Sequence, residues 1–315
     1  ERALYNTVLS GMALDGKSFF YVNPLEVLPE AAHKDERKFH VKPIRQKWFG
    51  CACCPPNIAR TLSSIAGYAF TENEDTLFVH LYMGSEIDKK LQDGTVHINI
   101  EAGLPWKGNV KFRINTEDVA ANAPGHRFTI ACRLPGWSRT AKVHGKNLTN
   151  DRKICIKNAG IDSDMLPDDV EAKIRNGYLY ITKNWSDGEE FALDFDMPVR
   201  FLTANTAVRE DAGKLAVMRG PVVYCLEEAD NGKNLQNLCI DPHGRTGEYE
   251  SDVLDKKIVI VTAQGRRLAD SLENEELYRE YEDRTYIDTE LKFVPYYAWN
   301  NRGEGEMQVW TRIGA

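Results

Sequence analysis

The feature that most constrains this chain is a change of hydrophobic period. Up to about residue 75 the apolar residues recur at helical spacing. Beyond TENEDT (residues 71–76) they alternate. LFVHLYM, TVHINIE, NVKFRIN, RFTIACRL, RKICIKN, GYLYITK, EFALDFD and AVMRGPVVYCLE are short and rich in β-branched and aromatic residues. Gly, Pro, Asn and Asp bound them. Side chains of a strand point alternately to opposite faces, so regularly spaced runs of this kind predict antiparallel sheets with one face buried. A polar interval, EEADNGKNLQNLCIDPHGRTGEYESD, interrupts the pattern before KIVIVTA, ELKFVPYYAW and MQVWTRI resume it. The expected organisation is a helical segment over 1–75, a first β-sandwich over 76–205 and a second over 206–315, making the chain mainly β.

The helical segment reads as helix, loop, helix. Leu4, Val8, Leu9 and Met12 lie at helical spacing, and the first helix is expected to end near Gly16. SFFYVNPLEV reads as extended, and AAHKDERKFHVKPIRQK as a solvated loop. From Pro56 to Phe70, Ile58, Leu62, Ile65, Ala66 and Ala69 share one helical face. Pro56 suits the first turn of a helix, where no N–H donor is needed. Two helices cannot bury both of their faces alone, so these are expected to be the last helices of a larger helical domain. The opening ERALYNTVLSGMALDG has no initiator Met and no signal-peptide pattern, and it begins in mid-periodicity. Glu1 therefore reads as an internal residue of a longer protein.

The net charge of −7 is spread along the chain, which excludes nucleic acid or an anionic membrane as the main partner. No run of about 18 apolar residues suggests a membrane span. Of seven cysteines, Cys132, Cys155, Cys225 and Cys239 are scattered, and all four read as buried free thiols. The absence of a disulfide framework fits a reducing compartment, and the expected location is the cytoplasm.

The other three cysteines fall within GCACCPPNIAR, residues 50–60. Cys53 and Cys54 stand at the start of the second helix, where free N–H groups and the helix dipole favour a thiolate. Arg60, further along, adds positive potential. Adjacent thiolates repel, and a bound zinc resolves that conflict. C-x-C-C is not the usual C-x₂-C knuckle, however, so the turn reads either as a metal or reactive-thiol site or as small residues packed on a core. His33 and His40 lie in the charged loop and read as solvated. Glu26 reads as a surface carboxylate, Trp48 and Phe49 as a sugar platform or core, and Trp106, Trp137, Trp185 and Trp299 as sandwich core. Asn147-Leu-Thr and Asn184-Trp-Ser fit the glycosylation pattern, and Asn300-Asn301-Arg302-Gly303 reads as a turn that docks the last β-domain.

In order, ERALYNTVLSGMALDGKSFFYVNPLE, WFGCACCPPNIAR, RLPGW, GPVVYCLE and FVPYYAWNNRGEGEMQVW span nearly the whole chain. Together they resemble the C-terminal half of the β-L-arabinofuranosidase family of glycoside hydrolases, family 127 and its close relatives. The resemblance implies an (α/α)₆ barrel followed by two β-sandwiches. It implies a retaining exo-glycosidase that releases terminal L-arabinofuranose from β-L-arabinofuranosides of plant-derived glycans. Its nucleophile would be a zinc-bound cysteine. Carried onto this sequence, Cys53 is the nucleophile and a zinc ligand, Cys54 a second zinc ligand, Tyr21 a sugar contact, and Glu1 an acidic residue near the same pocket. The family's Glu-x-Cys ligand pair and its acid/base Glu match no position here, so this chain alone is expected to be inactive. Homodimer pairing through the β-domains is also implied, although no apolar stripe marks the surface. The alternative from another class is a non-catalytic carbohydrate-binding or scaffolding β-sandwich protein.

Overall fold

The structure, a computed structural model, describes residues 1–314 except 39, 52, 93, 117–124, 150–151, 157–160, 162, 253, 255, 270–277, 279 and 282. The chain forms two compact units. One contains residues 59–198, and the other combines residues 1–58 with 199–315.

The unit of residues 59–198 is a β-sandwich. Its five-stranded sheet runs in the order Glu171–Arg175, Tyr178–Trp185, His126–Arg133, Thr76–Val79, Phe70–Glu72. Its six-stranded sheet runs Ser85–Leu91, Gly94–Ala102, Asn109–Thr116, Glu189–Phe195, Ala141–His144, Ile154–Ile156. The alternation read in the sequence is the alternation of burial. Val96, Ile98 and Ile100 of one strand, and Phe191, Leu193 and Phe195 of another, enter a single core with Leu179, Ile181 and Trp185 of the facing sheet. Trp185 meets Phe191 across the sheets with ring centroids 5.4 Å apart. Asn176-Gly177 makes the hairpin between Glu171–Arg175 and Tyr178–Trp185, with φ of 50° and 78°. Both central residues of such a tight turn need positive φ, which Asn and Gly adopt most readily.

One glycine in this unit is fixed by packing. A Cβ on Gly108 would lie 1.9 Å from the carbonyl oxygen of Phe195, whose N–H donates to Gly108 O at 2.9 Å. Gly108→Ala must push two paired backbones apart. It is expected to destabilise the sandwich by about 3 kcal/mol, the upper end for overpacking, visible as a lowered thermal midpoint.

The other unit is built on a ten-stranded sheet, not on the two separate sheets expected of a second sandwich. Its pairings return on themselves. Lys214–Arg219 pairs Val222–Glu227, which pairs Tyr286–Pro295, then Ile258–Leu268, Leu238–Ile240 and Thr311–Ile313, and the last pairs Lys214–Arg219 again. The hairpin at Gly220-Pro221 closes the ring, with Gly220 at φ 54°. Closure leaves these strands paired on both sides. Thr246–Ser251 and Val199–Leu202 attach outside the ring.

Residues 1–58 are part of this unit. Glu26–Val27 pairs Met307–Gln308 and extends the sheet. The first helix carries a π-helical stretch over Ala3–Val8 and ends at Ser10, six residues earlier than Gly16. Its buried Asn6 donates to Pro221 O at 2.9 Å and accepts from Val223 N–H at 2.7 Å, so one side chain ties the helix to the closing hairpin. Residues 13–19 turn back instead of continuing the helix, with Phe19 bridging Met12 and Gln46.

The stretch read as a solvated loop, residues 31–47, begins inside a helix, Pro29–Lys34, and contains a buried cation, Arg45. The Arg45 guanidinium donates to Trp299 O at 2.6 Å and to Ser10 O at 2.9 Å, and lies 4.4 Å from the centre of the Phe20 ring, which stacks on Trp299. Burial pulls its pKa down to about 10. The Asn300–Gly303 turn completes this clamp. Asn300 donates to Pro43 O at 2.7 Å and accepts from Arg45 N–H, Asn301 accepts from Leu14 N–H at 3.0 Å, and Arg302 is paired with Glu227 and Asp230. The expected docking turn thus fastens residues 10–45 to the ringed sheet. Trp137, Trp185 and Trp299 are buried as expected, whereas Trp106 is only half-buried.

Candidate active site at the cysteine turn

Cys54 opens the helix Cys54–Ser63 and Cys53 immediately precedes it. The prolines at 55 and 56 occupy the first turn, where their missing N–H groups cost nothing. The carbonyl of Cys53 accepts from Asn57 Nδ2 at 2.7 Å and Asn57 N–H at 3.4 Å, which fixes the entry into the helix. Cys51 and Cys53 are exposed and Cys54 is half-buried. The Sγ atoms of Cys53 and Cys54 are 3.8 Å apart.

Cys54, Cys51 and Tyr21 act on the Cys53 sulfur. Its pKa is lowered, chiefly by the hydrogen bond from Cys54 and then by those from Cys51 and the Tyr21 hydroxyl. Cys54 is pushed up, first by burial and then by its neighbour Cys53. The Tyr21 phenol is raised because a charge on Cys53 opposes a second charge beside it. The adjacent thiols are therefore unequal, and Cys53 is the one held ready to ionise. Tyr21 is itself held by rings, His40 stacked at 5.8 Å and Phe49 tilted at 5.6 Å. Phe49 also packs on Phe19 at 5.0 Å, while Trp48 is 69% exposed.

The structure thus brings Tyr21, Cys53 and Cys54 together. Glu1 stands at the start of the first helix, where its charge acts on Tyr5. His33 pairs with Glu304 at 2.8 Å, and Glu26 is an exposed strand residue opposite Gln308. Sequence reasoning gave no role to Cys51 beside Cys53, or to Phe49 and His40 as the walls of Tyr21. The one available signal was the crowding of aromatic residues before the cysteines. Of the scattered cysteines, Cys132, Cys225 and Cys239 are buried, but Cys155 is exposed, since it alternates outward between Ile154 and Ile156.

The sulfur pair fits zinc. Two thiolates at about 2.3 Å from one tetrahedral zinc stand about 3.8 Å apart. That is the separation here. Among the described residues no group of three or more His, Cys, Asp or Glu side chains is assembled for a metal.

Three domains of one family match the chain end to end. The catalytic domain of family 127 β-L-arabinofuranosidases matches residues 1–67, the family's middle domain 76–197 and its C-terminal domain 199–312. The chain belongs to glycoside hydrolase family 127. It is 34% identical to a non-reducing end β-L-arabinofuranosidase of Bifidobacterium longum subsp. longum, over 99% of this chain and 44% of the relative. Its fold matches the crystal structure of a family 127 β-L-arabinofuranosidase from Geobacillus stearothermophilus T6 with a TM-score of 0.86 and 43% identity, over 99% of this chain and 45% of that one. A second solved glycoside hydrolase matches with a TM-score of 0.80 and 30% identity, over 99% of this chain and 47% of that one. The chain therefore spans just under half the length of these relatives.

Proposed function

We propose that this chain forms the nucleophile-bearing portion of a retaining exo-glycosidase that releases terminal L-arabinofuranose from β-L-arabinofuranosides of plant-derived glycans. The observation that carries this reading is the pairing of the exposed Cys53 sulfur with the Cys54 sulfur at 3.8 Å, in a chain whose relatives are β-L-arabinofuranosidases. A retaining mechanism needs a nucleophile on one face of the sugar and an acid/base on the other. Cys53 thiolate attacks the anomeric carbon as the glycosidic C–O bond breaks, and the family's acid/base Glu gives its proton to the departing oxygen. The resulting thioglycoside is opened by water that the same Glu deprotonates. Tyr21, fixed by His40 and Phe49, orients the sugar over the sulfur.

Cys53 and Cys54 would hold zinc. Bound there, zinc keeps both sulfurs deprotonated at neutral pH. Cys54, half-buried at the start of the helix, would serve as a ligand, and Cys53 would serve as ligand and nucleophile. The rest of the ligand sphere would be the Glu-x-Cys pair that the family resemblance implies, and this sequence contains no such motif. The helix Cys54–Ser63 supports a larger helical domain around it. It presents Ile58 and Leu62 on one face yet buries no side chain completely. With neither acid/base nor full ligand set, the 315-residue chain by itself is expected to leave glycosides intact.

The test is zinc stoichiometry in the intact protein, wild type beside Cys54→Ser. About one zinc per chain, lost or weakened in the variant, is expected of one tetrahedral site. A folded, metal-replete protein without zinc would reject the metal site and favour the non-catalytic binding protein.

A further inference from the structure

The sandwich unit holds a charged cluster that the cysteine chemistry does not use. Lys183 follows Leu179 and Ile181 on the inward face of its strand, and Glu189 precedes Phe191 and Leu193 on the inward face of the opposite sheet. Their side chains are 2% and 7% exposed and meet at 3.0 Å. The Lys183 ammonium also donates to Asn147 O at 3.0 Å and sits 5.5 Å from the centre of the Trp185 ring. Glu189 Oε1 accepts a second bond, from Asn147 Nδ2, at 3.2 Å. Its other oxygen, Oε2, has no partner among the described residues and is not sealed inside the protein. Glu189 lines a cleft of about 340 Å³ whose rim carries Lys146, Asn147, Lys111 and Glu190.

A buried ion pair is a poor source of stability, because apolar residues of the same volume usually do as well or better. Glu189 lines the cleft, so its free oxygen takes its donor from outside the protein, from water or from a ligand hydroxyl. We propose that this cleft is a sugar-binding subsite, in which Glu189 Oε2 and the exposed Asn147 amide take the hydroxyl groups of one neutral monosaccharide unit of a glycan. The charge around the cleft selects for neutrality. Both carboxylates are already matched by cations, Glu189 by Lys183 at 3.0 Å and Glu190 by Lys111 at 2.7 Å and Arg113 at 2.6 Å, so neither is left to hold a metal ion, and both stand where an anion would have to enter. What remains is a fixed acceptor beside amide and ammonium donors, which matches neighbouring hydroxyls. The volume lies at the small end of ligand pockets, room for a terminal sugar rather than a chain. That the sugar belongs to a glycan rests on the glycosidase reading; the site itself does not involve Cys53.

The experiment is residue-resolved acetylation of lysines in the intact protein carrying Cys53→Ala, so that turnover plays no part. L-Arabinose, D-galactose and inorganic phosphate are the probes, each at increasing concentration. The expected result is saturable protection of Lys146 by at least one of the two sugars and none by phosphate, with the protection lost in Asn147→Ala and in Glu189→Gln. Asn147 is exposed, so its variant keeps the test decisive should Glu189→Gln fail to fold. Lys146 reacting at one rate throughout, protection by phosphate alone, or protection surviving Asn147→Ala would each overturn the proposal. Failure of the glycosidase reading would show elsewhere, as activity that survives Cys53→Ala, and would leave this footprint readable.

Discussion

In the intact protein, Cys53→Ala is expected to reduce hydrolysis of a β-L-arabinofuranoside by on the order of 10⁴-fold or more, the scale on which enzymes lose kcat when a covalent nucleophile is deleted. The loss should fall on kcat, because Cys53 forms a bond to the sugar only once reaction begins. Circular dichroism should be unchanged, since in this chain no core rests on the Cys53 side chain. Cys53→Ser is the sharper version. A hydroxyl keeps the volume and the reach to Tyr21, but it ionises far less readily than a thiol, so it too should be nearly inactive. Activity within tenfold of wild type in Cys53→Ala would remove the nucleophile from this turn.

The second large effect is structural. Arg45→Ala should destabilise the unit formed by residues 1–58 and 199–315 by about 3–5 kcal/mol, the range for removing one partner from a buried charged network. The carbonyls of Ser10 and Tyr297 lose their Arg45 bonds, Trp299 O keeps only its longer bond from Asn301, and Glu227 loses a nearby compensating charge. Urea denaturation of the intact protein, followed at the unit containing Trp299, gives the number. Arg45→Lys should recover little of it, because an ammonium cannot reproduce the planar fork that spans several carbonyls over the Phe20 ring. A shift below about 1 kcal/mol, the level of an ordinary surface substitution, would show that the clamp is not what holds residues 10–45.

How much of this was legible in the sequence depended on the range of the interaction. The sandwich strands were legible because period two is a local property, and Val96, Ile98 and Ile100 announce their face without reference to anything distant. The cysteine turn was legible for the same reason: its thiols, its prolines and the start of its helix lie within residues 50–60. Arg45 was not. A charged residue in a charged run reads as solvated, and its partners lie more than 250 residues away at Trp299 and Asn300. Lys183 and Glu189 were hidden in a related way, as charges at inward positions that only the facing strand explains. Ring closure in the last unit was also illegible, because it turns on which strands meet, and the parallel pairing of Leu238–Ile240 with Thr311–Ile313 joins segments with no local relation.

The strand Glu26–Val27 lies five residues after Tyr21 and is stitched to Met307–Gln308, near the far end of the sequence. The protein therefore cannot be dissected at its apparent seams. A piece starting at Val199 would lack the edge strand, Asn6 and Arg45 that its own sheet and turn are built around. A catalytic piece stopping before the sandwich would leave the Tyr21 loop without its anchor. Trimming the last dozen residues should then register at the cysteine turn, and shuffling C-terminal domains between relatives should work only when the first 58 residues travel with them.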